Sequence, residues 1–138
     1  MFQRRRSRAK TNKKVDWVNA RDIKKRVDYL VETLGLDWIT PEHVHCVRSE
    51  NSSARAYARI WGMGRVWQES LGLPPKYCIE VLSENFDHLP IDRQDEVLLH
   101  ELAHIPKTFT GALLPHTHKG KGNFHDKLKT MIAAYKRL

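Results

Sequence analysis

Apolar residues recur at helical spacing near the start of the chain. Between Val15 and Gly35 most of them lie three or four positions apart, as on the buried face of an amphipathic helix. Gly35 stands where such a helix would end, because glycine adopts the left-handed backbone of a C-terminal cap without strain. The pattern predicts one helix here, with an apolar face formed by Val15, Val18, Ile23, Val27, Leu30, Val31 and Leu34.

Three later segments alternate between apolar and polar residues, with the period of two that is typical of half-buried strands. We expect them to form a small three-stranded sheet. In the second segment, alanines and Ile60 share one face, while Tyr57 and Arg59 lie on the other and should be solvated. A peptide that paired with this strand would contact that second face. The three segments cover residues 43–49, 55–61 and 77–83.

Two further helices are expected after the strands. The first covers residues 91–105: Pro90 precedes it, acidic residues lie near its positive N-terminal end, and Pro106 ends it. The second begins at about Asn123 and is amphipathic. The order is helix, three strands, helix, loop, helix. It predicts an α+β domain, with the small sheet packed on the helix at 91–105 and flanked by N-terminal and C-terminal helices.

Composition narrows the class of protein. The chain has 138 residues, 41% of them hydrophobic and 29% charged, as in one soluble globular domain. No apolar run approaches the roughly 20 residues that span a membrane, and the basic N-terminus lacks the apolar core of a signal peptide. We therefore expect a cytoplasmic protein, in which Cys46 and Cys78 are free thiols. The tryptophans are expected to be packing residues: Trp17, Trp38, Trp61 and Trp67.

The net charge of +8 is concentrated at the N-terminus. Residues 1–14 contain seven lysines and arginines and no acid, whereas the rest of the chain is almost neutral. We expect a flexible arm at 1–14 beside a single domain at 15–138, because the arm repels itself and has little to bury. Its charges can neutralise phosphates, so RNA or DNA, ribosomal RNA included, is the expected partner; a merely solubilising tail is the alternative. The basic residues are Arg4, Arg5, Arg6, Arg8, Lys10, Lys13 and Lys14.

The helix at 91–105 contains the pattern HExxH, from His100 to His104. Positions i and i+4 lie on one face of a helix, so the two imidazoles can bind one metal ion. Zinc lowers the pKa of a bound water from about 16 towards 7, and the carboxylate of Glu101 can take the proton of that water. The motif predicts a zinc site for amide hydrolysis, with Glu101 as general base.

A catalytic zinc site needs a third protein ligand. The extended pattern HExxHxxGxxH is absent, because Lys107 and Thr110 occupy its last two positions, and no glutamate follows Glu101. A loop of about twenty residues follows the motif, and loops of that length in compact domains usually have a function. The candidates on this loop and on the last helix are His116, His118, His125 and Asp126.

Four stretches of the chain resemble the HExxH metallopeptidases of archaea and their viruses, a phage-type family related to the SprT-like minimal zinc peptidases. The stretches are 53–61, 79–83, 100–106 and 109–116, and the resemblance extends over about residues 40–130. It implies a minimal gluzincin-like core, with a third histidine ligand from the segment after the motif helix. By that resemblance the metal ligands are His100, His104 and His116, with His118 as a competing match, and the base is Glu101.

Two functions fit these observations. One is a zinc-dependent peptidase that acts on peptides or proteins and is recruited to nucleoprotein by the basic arm. The other is a catalytically silent, zinc-stabilised protein that binds RNA or DNA, for example on the ribosome. Substitution of Glu101 separates them, because a silent protein has no hydrolysis to lose.

Overall fold

A computed structural model of the chain describes residues 13–117, 119–120 and 122–138. Five of the basic arm residues and the candidate ligand His118 lie outside these ranges. No helix within the described residues is both long enough and apolar enough to cross a membrane. The elements, in chain order, are β1 Asp16–Asn19, α1 Arg21–Thr33, a 3-10 turn Pro41–His43, β2 Val44–Glu50, β3 Ala58–Gly62, α2 Arg65–Leu71, β4 Tyr77–Leu82, α3 Ser83–Phe86, α4 Ile91–Ala103 and α5 Phe124–Lys136.

The strands form one mixed sheet in the order β1-β2-β4-β3. β1 is antiparallel to β2, β2 is parallel to β4, and β3 is antiparallel to β4. The predicted α+β class is confirmed. The predicted number of strands is wrong, because the sheet has four strands and not three.

The additional strand is β1, which occupies the first residues of the predicted helix. Trp17 pairs with Ser49 and Val18 with Arg48, in antiparallel register. Over so short a segment, a spacing of two and a spacing of three fit the apolar residues equally well. The pairing with β2, which is distant in sequence, decides in favour of the strand. Without β1, the N–H and C=O groups along the edge of β2 would be left unpaired.

The rest of the first helix agrees with the pattern. α1 begins at Arg21 and buries Ile23, Val27, Leu30 and Val31. Gly35 has a φ of 62°, and the Leu36 N–H donates to the Val31 carbonyl at 2.9 Å. This is the Schellman arrangement that a glycine after the last turn predicts.

The hydrophobic pattern does not predict α2. None of its residues is buried, so it has no periodic apolar face to detect. Two of its apolar side chains, Val66 and Trp67, are 80% and 63% exposed. The expectation that the tryptophans are packing residues is therefore wrong for Trp67, and also for Trp17 and Trp61, which are 58% and 54% exposed.

The core lies between one face of the sheet and helices α1, α4 and α5. β4 contributes Tyr77, Ile79 and Val81, and α4 contributes three leucines, all almost completely buried. Each such side chain contributes about 2 kcal/mol relative to an exposed one. Because the leucines Leu98, Leu99 and Leu102 fix which face of α4 is turned to the core, they also fix where its histidines lie.

A buried carboxylate joins the three helices. Asp95 of α4 accepts hydrogen bonds from Arg26 Nε of α1 at 2.7 Å and from the Tyr135 hydroxyl of α5 at 2.5 Å. Its side chain is 1% exposed. The hydrogen bond and charge of Asp95 hold the pKa of Arg26 above its ordinary value. A buried ion pair of this kind is costly to break from one side, at about 3–5 kcal/mol.

Candidate metal centre

The motif helix carries the first two histidines to one place. His100 lies in the last turn of α4, and His104 caps the helix with an αR backbone. Their ring centroids are 5.3 Å apart. The i, i+4 spacing therefore places both imidazoles on one face, as the sequence predicts.

His116 completes a cluster with them. Within the described residues, ligand nitrogens of His100, His104 and His116 all lie within 4.8 Å of one another. The two Nε2 atoms of His100 and His116 are 3.1 Å apart. Nitrogens about 2.05 Å from one tetrahedral ion are separated by roughly 3.3 Å, so this spacing fits a shared metal.

The other candidates for the third ligand are placed differently. In the described part of the chain, His125 and Asp126 do not belong to the cluster. Asp126 lies in the first turn of α5, where its N–H and carboxylate both bond to the side chain of Asn123. The structure thus brings together the three histidines that the resemblance implies, while their binding of a metal stays a prediction.

A reciprocal pair of hydrogen bonds fixes His104 to the loop that carries His116. The Leu114 N–H donates to the His104 carbonyl at 2.7 Å, and His104 Nδ1 lies 2.6 Å from the Leu114 carbonyl oxygen. With a proton on Nδ1 donated to that carbonyl, Nε2 is left unprotonated, as metal ligation requires. The same contact that orients the ring therefore sets its tautomer.

Two further contacts hold this loop, and no sequence pattern identifies them. The buried Tyr77 hydroxyl donates to the Ala112 carbonyl and accepts from the Gly111 N–H, both at 2.8 Å. Gln68 of α2 donates to the Met63 carbonyl at 2.7 Å and to the Thr110 carbonyl at 2.9 Å. The local sequence signal is the turn at Thr110-Gly111, which does not reveal its partners.

The loop backbone packs directly on the end of β3. A Cβ atom at Gly62 would lie 2.1 Å from the Gly111 carbonyl oxygen, far inside van der Waals contact. Gly111 itself has a φ of 95°, a conformation that other residues rarely adopt. The loop therefore packs on the core face of β3 at Gly62, and this approach needs glycine at both positions.

Phe124 forms an aromatic wall beside the three histidines. It stacks on His104 with a centroid distance of 4.3 Å and meets His100 and His116 edge-on at 4.9 Å and 4.8 Å. Phe124 is the first residue of α5, whose cap Asn123 accepts from the Asp126 N–H at 2.9 Å. The cap of α5 thereby positions a ring that restricts how the imidazoles can turn.

Glu101 is buried next to the cluster, at 7% exposure. Burial raises the pKa of its carboxyl to about 7. Burial, and then the neighbouring His104 and His116, lower the pKa of His100 to about 4. Burial also lowers the pKa of His104, against the opposing hydrogen bond with Leu114. The imidazoles of His100 and His104 are therefore held neutral, which is the form that binds metal.

The cluster opens into a cleft of about 580 Å³. One wall is residues 56–60 of β3 and the segment before it, and the other is α4 with Glu101. Leu113, Leu114 and Pro115 close a third side. The site thus combines three nitrogen donors, one buried carboxylate and a cleft bordered by a strand.

The fold and the site define a small metallopeptidase-like protein. A family model described as "putative phage metallopeptidase" matches residues 15–131, and the chain belongs to this family. A comparison with curated proteins found no match, and a comparison with solved structures found none.

Proposed function

We propose that this protein is a zinc-dependent peptidase, in which His100, His104 and His116 hold the metal and Glu101 is the general base. The observation that carries the proposal is the cluster of three histidine nitrogens within 4.8 Å of one another, beside a buried carboxylate. Membership of a metallopeptidase family supports the same reaction class.

The donor set fits zinc. Three neutral imidazoles leave one position of a tetrahedral ion open, as in catalytic zinc sites. When bound, zinc would supply a Lewis acid and lower the pKa of a coordinated water. A cation beside Glu101 would also bring the pKa of this carboxyl below the value of about 7 that burial gives it.

The free edge of β3 is suited to a peptide substrate. The Tyr57 carbonyl accepts from the Leu82 N–H at 3.0 Å, and the Met63 N–H donates to the Lys76 carbonyl at 3.0 Å. Since backbone groups alternate in direction along a strand, Ala58 and Ile60 direct theirs away from β4, to the free edge. Both residues line the cleft, so a peptide could add to the sheet there.

Glu101 would then act twice on the bound peptide. It removes a proton from the water whose oxygen attacks the scissile carbonyl carbon, and later delivers a proton to the amide nitrogen as the C–N bond breaks. The cation would lower the pKa of this carboxyl from the value of about 7 that burial gives it, so that it is ionised at neutral pH and can accept the proton of the water.

Glu101→Gln tests this function. The variant should bind zinc as the wild type does and lose cleavage of an unfolded protein substrate by at least about 100-fold, since it removes the base and no ligand. Glu96→Gln, on the same helix, is the matched control and should cleave normally. Retained cleavage in Glu101→Gln would refute the assigned role. No cleavage by the zinc-loaded wild type would favour the catalytically silent alternative.

A second candidate function is binding of RNA or DNA through the arm, alone or as recruitment of the peptidase. The observation that favours it is the run of seven basic residues without an acid in residues 1–14. Such a run gives salt-sensitive affinity for phosphates whatever the catalytic state of the domain.

A further inference from the structure

The face of the sheet opposite the core carries an exposed cluster at β3 that the proposed reaction does not use. Arg59 and Trp61 of β3 lie on this face. Trp61 is 54% exposed, and the Arg59 side chain is 37% exposed. Large side chains left in solvent on the strand that borders the cleft suggest recognition of a ligand.

A buried carboxylate holds two of these side chains in place. Glu80 of β4 is completely buried. It accepts hydrogen bonds from Arg59 Nε and Nη2, both at 3.2 Å, and from Trp61 Nε1 at 2.9 Å. The Arg59 guanidinium lies 5.5 Å from the centre of the Trp61 ring. Burial raises the pKa of Glu80, but hydrogen bonds from Arg59 and Trp61 outweigh it and leave the pKa below its ordinary value. The buried acid is therefore ionised and fixes two exposed side chains.

This cluster would lie directly beside a peptide on the free edge. Ala58 and Ile60 direct their backbone groups to that edge, so an antiparallel peptide makes its hydrogen bonds with them. The substrate residue opposite Arg59 then forms a non-hydrogen-bonded pair, the type in which facing side chains are closest. Trp61 is its diagonal neighbour, within reach of a large side chain.

We propose that Arg59 and Trp61 select a large apolar or aromatic side chain at the substrate position opposite Arg59. The proposal rests on the peptidase function above. Glu80 neutralises the charge of Arg59, so an acidic substrate residue gains little. What remains is an aromatic ring and a flat guanidinium, which favour stacking. Because Glu80 orients Arg59 and Trp61 in advance, little side-chain freedom is lost when the substrate binds.

The test is a cleavage profile on a mixture of unfolded proteins, read by mass spectrometry. For the zinc-loaded wild type, one position near the cut should be enriched about 5-fold in Phe, Tyr, Trp and Leu. Trp61→Ala should reduce that enrichment to less than about 2-fold. The matched control is Trp17→Ala, which removes a tryptophan of similar exposure from β1, at the opposite edge of the sheet, and should keep the wild-type profile. An unchanged profile in Trp61→Ala would overturn the proposal, as would robust cleavage without any enrichment.

Glu80→Gln gives a second, opposite signature. Without the buried carboxylate Arg59 keeps its charge, so the same substrate position should shift towards Asp and Glu by several-fold. A merely structural role would lower the rate and leave the profile as it was. Since each profile is a ratio within one variant, partial unfolding of the variant does not imitate the shift.

Failure of the peptidase function is distinguishable from failure of this inference. If the wild type cleaves nothing, labelled peptides that differ only by Phe or Ala at alternate positions can be titrated into zinc-loaded Glu101→Gln by fluorescence anisotropy. Tighter binding of the Phe peptides, abolished by Trp61→Ala, upholds the recognition surface. Equal affinities overturn it.

Discussion

At the scale of single residues, the candidate metal site depends on which histidine nitrogens the fold brings close together. The motif predicts His100 and His104 because their relation is local, four positions on one helix. It leaves the third ligand open, because a loop residue can reach the metal only through contacts that the sequence does not display. The structure brings His116 to the cluster by way of Tyr77, Leu114 and Gly111.

The ligand assignment makes a direct prediction. His100→Ala, His104→Ala and His116→Ala should each reduce zinc affinity by more than the roughly 100-fold that marks the upper end for outer-shell substitutions. Metal content after dialysis, measured by mass spectrometry, should fall from about one zinc per chain to almost none. His125→Ala is the control, since His125 lies outside the cluster. Full zinc content in His116→Ala would exclude it as the third ligand.

Burial of Glu101 predicts a pH-dependent stability in the metal-free protein. Its folded pKa of about 7 lies above the ordinary value of 4.5, so its contribution to stability is present below pH 4.5 and is lost as the pH rises to 7. Glu101→Gln removes this loss. The stability of the variant relative to wild type should therefore rise by about 2–3 kcal/mol between pH 4.5 and pH 8.

Urea unfolding of both metal-free proteins across that range measures the difference. Comparing the two proteins at each pH cancels the titration of His100, whose lowered pKa acts in the opposite direction. A stability difference that does not change with pH would contradict the assignment of a buried, uncompensated carboxylate at this position.

At the scale of elements, the sequence predicts the helices and strands that bury a face in the core, because that face appears as a periodic pattern of apolar residues. α1, α4 and α5 each bury one stripe. The bounds of α4 and α5 agree with the pattern within a few residues, whereas α1 begins only at Arg21, because β1 occupies the start of the predicted helix. The hydrophobic pattern does not predict β1 or α2, because neither element buries a single residue. β1 exists through its pairing with β2, and α2 through contacts such as that of Gln68 with the His116 loop.

Packing of that loop on β3 predicts a contrast between two neighbouring glycines. Gly62→Ala would place a methyl group 2.1 Å from the Gly111 carbonyl, so the loop must move and carry His116 with it. We expect a loss of about 1–3 kcal/mol of stability and about 10-fold or more of zinc affinity.

Gly64→Ala is the control for that experiment. Gly64 has a φ of −60°, and a methyl group added there would meet no atom within 4 Å, so alanine should change stability by less than about 0.5 kcal/mol. Thermal unfolding and zinc titration distinguish the two variants. Equal behaviour would mean that the contact between the loop and β3 does not position the metal site.

At the scale of the whole molecule, the site is where distant parts of the chain meet. Asp95 ties α4 to α1 and α5, while β3 and the loop supply the opposite wall of the cleft. Hydrophobic periodicity predicts that these elements exist, but it contains no information on which of them face one another. The family resemblance implies that the sheet packs on the motif helix, with a third histidine from the segment that follows. In the structure, buried hydrogen bonds and close glycine contacts hold these elements together.

The charge distribution leads to the last prediction, which concerns the arm. Arg4, Arg5, Arg6, Arg8, Lys10, Lys13 and Lys14 have no acid among them, and the rest of the chain is almost neutral. If all seven contact phosphates, the slope of log K against log salt for RNA or DNA should be steeper by up to about 6 units than in a variant with all seven changed to glutamine. The matched control reverses the order of residues 2–14 and keeps their charge, because counterion release depends on charge and not on sequence. Zinc content should be the same in all three proteins. If the glutamine variant binds RNA and DNA as tightly as the wild type at low salt, or if none of them binds, the arm has no electrostatic role in nucleic-acid recognition.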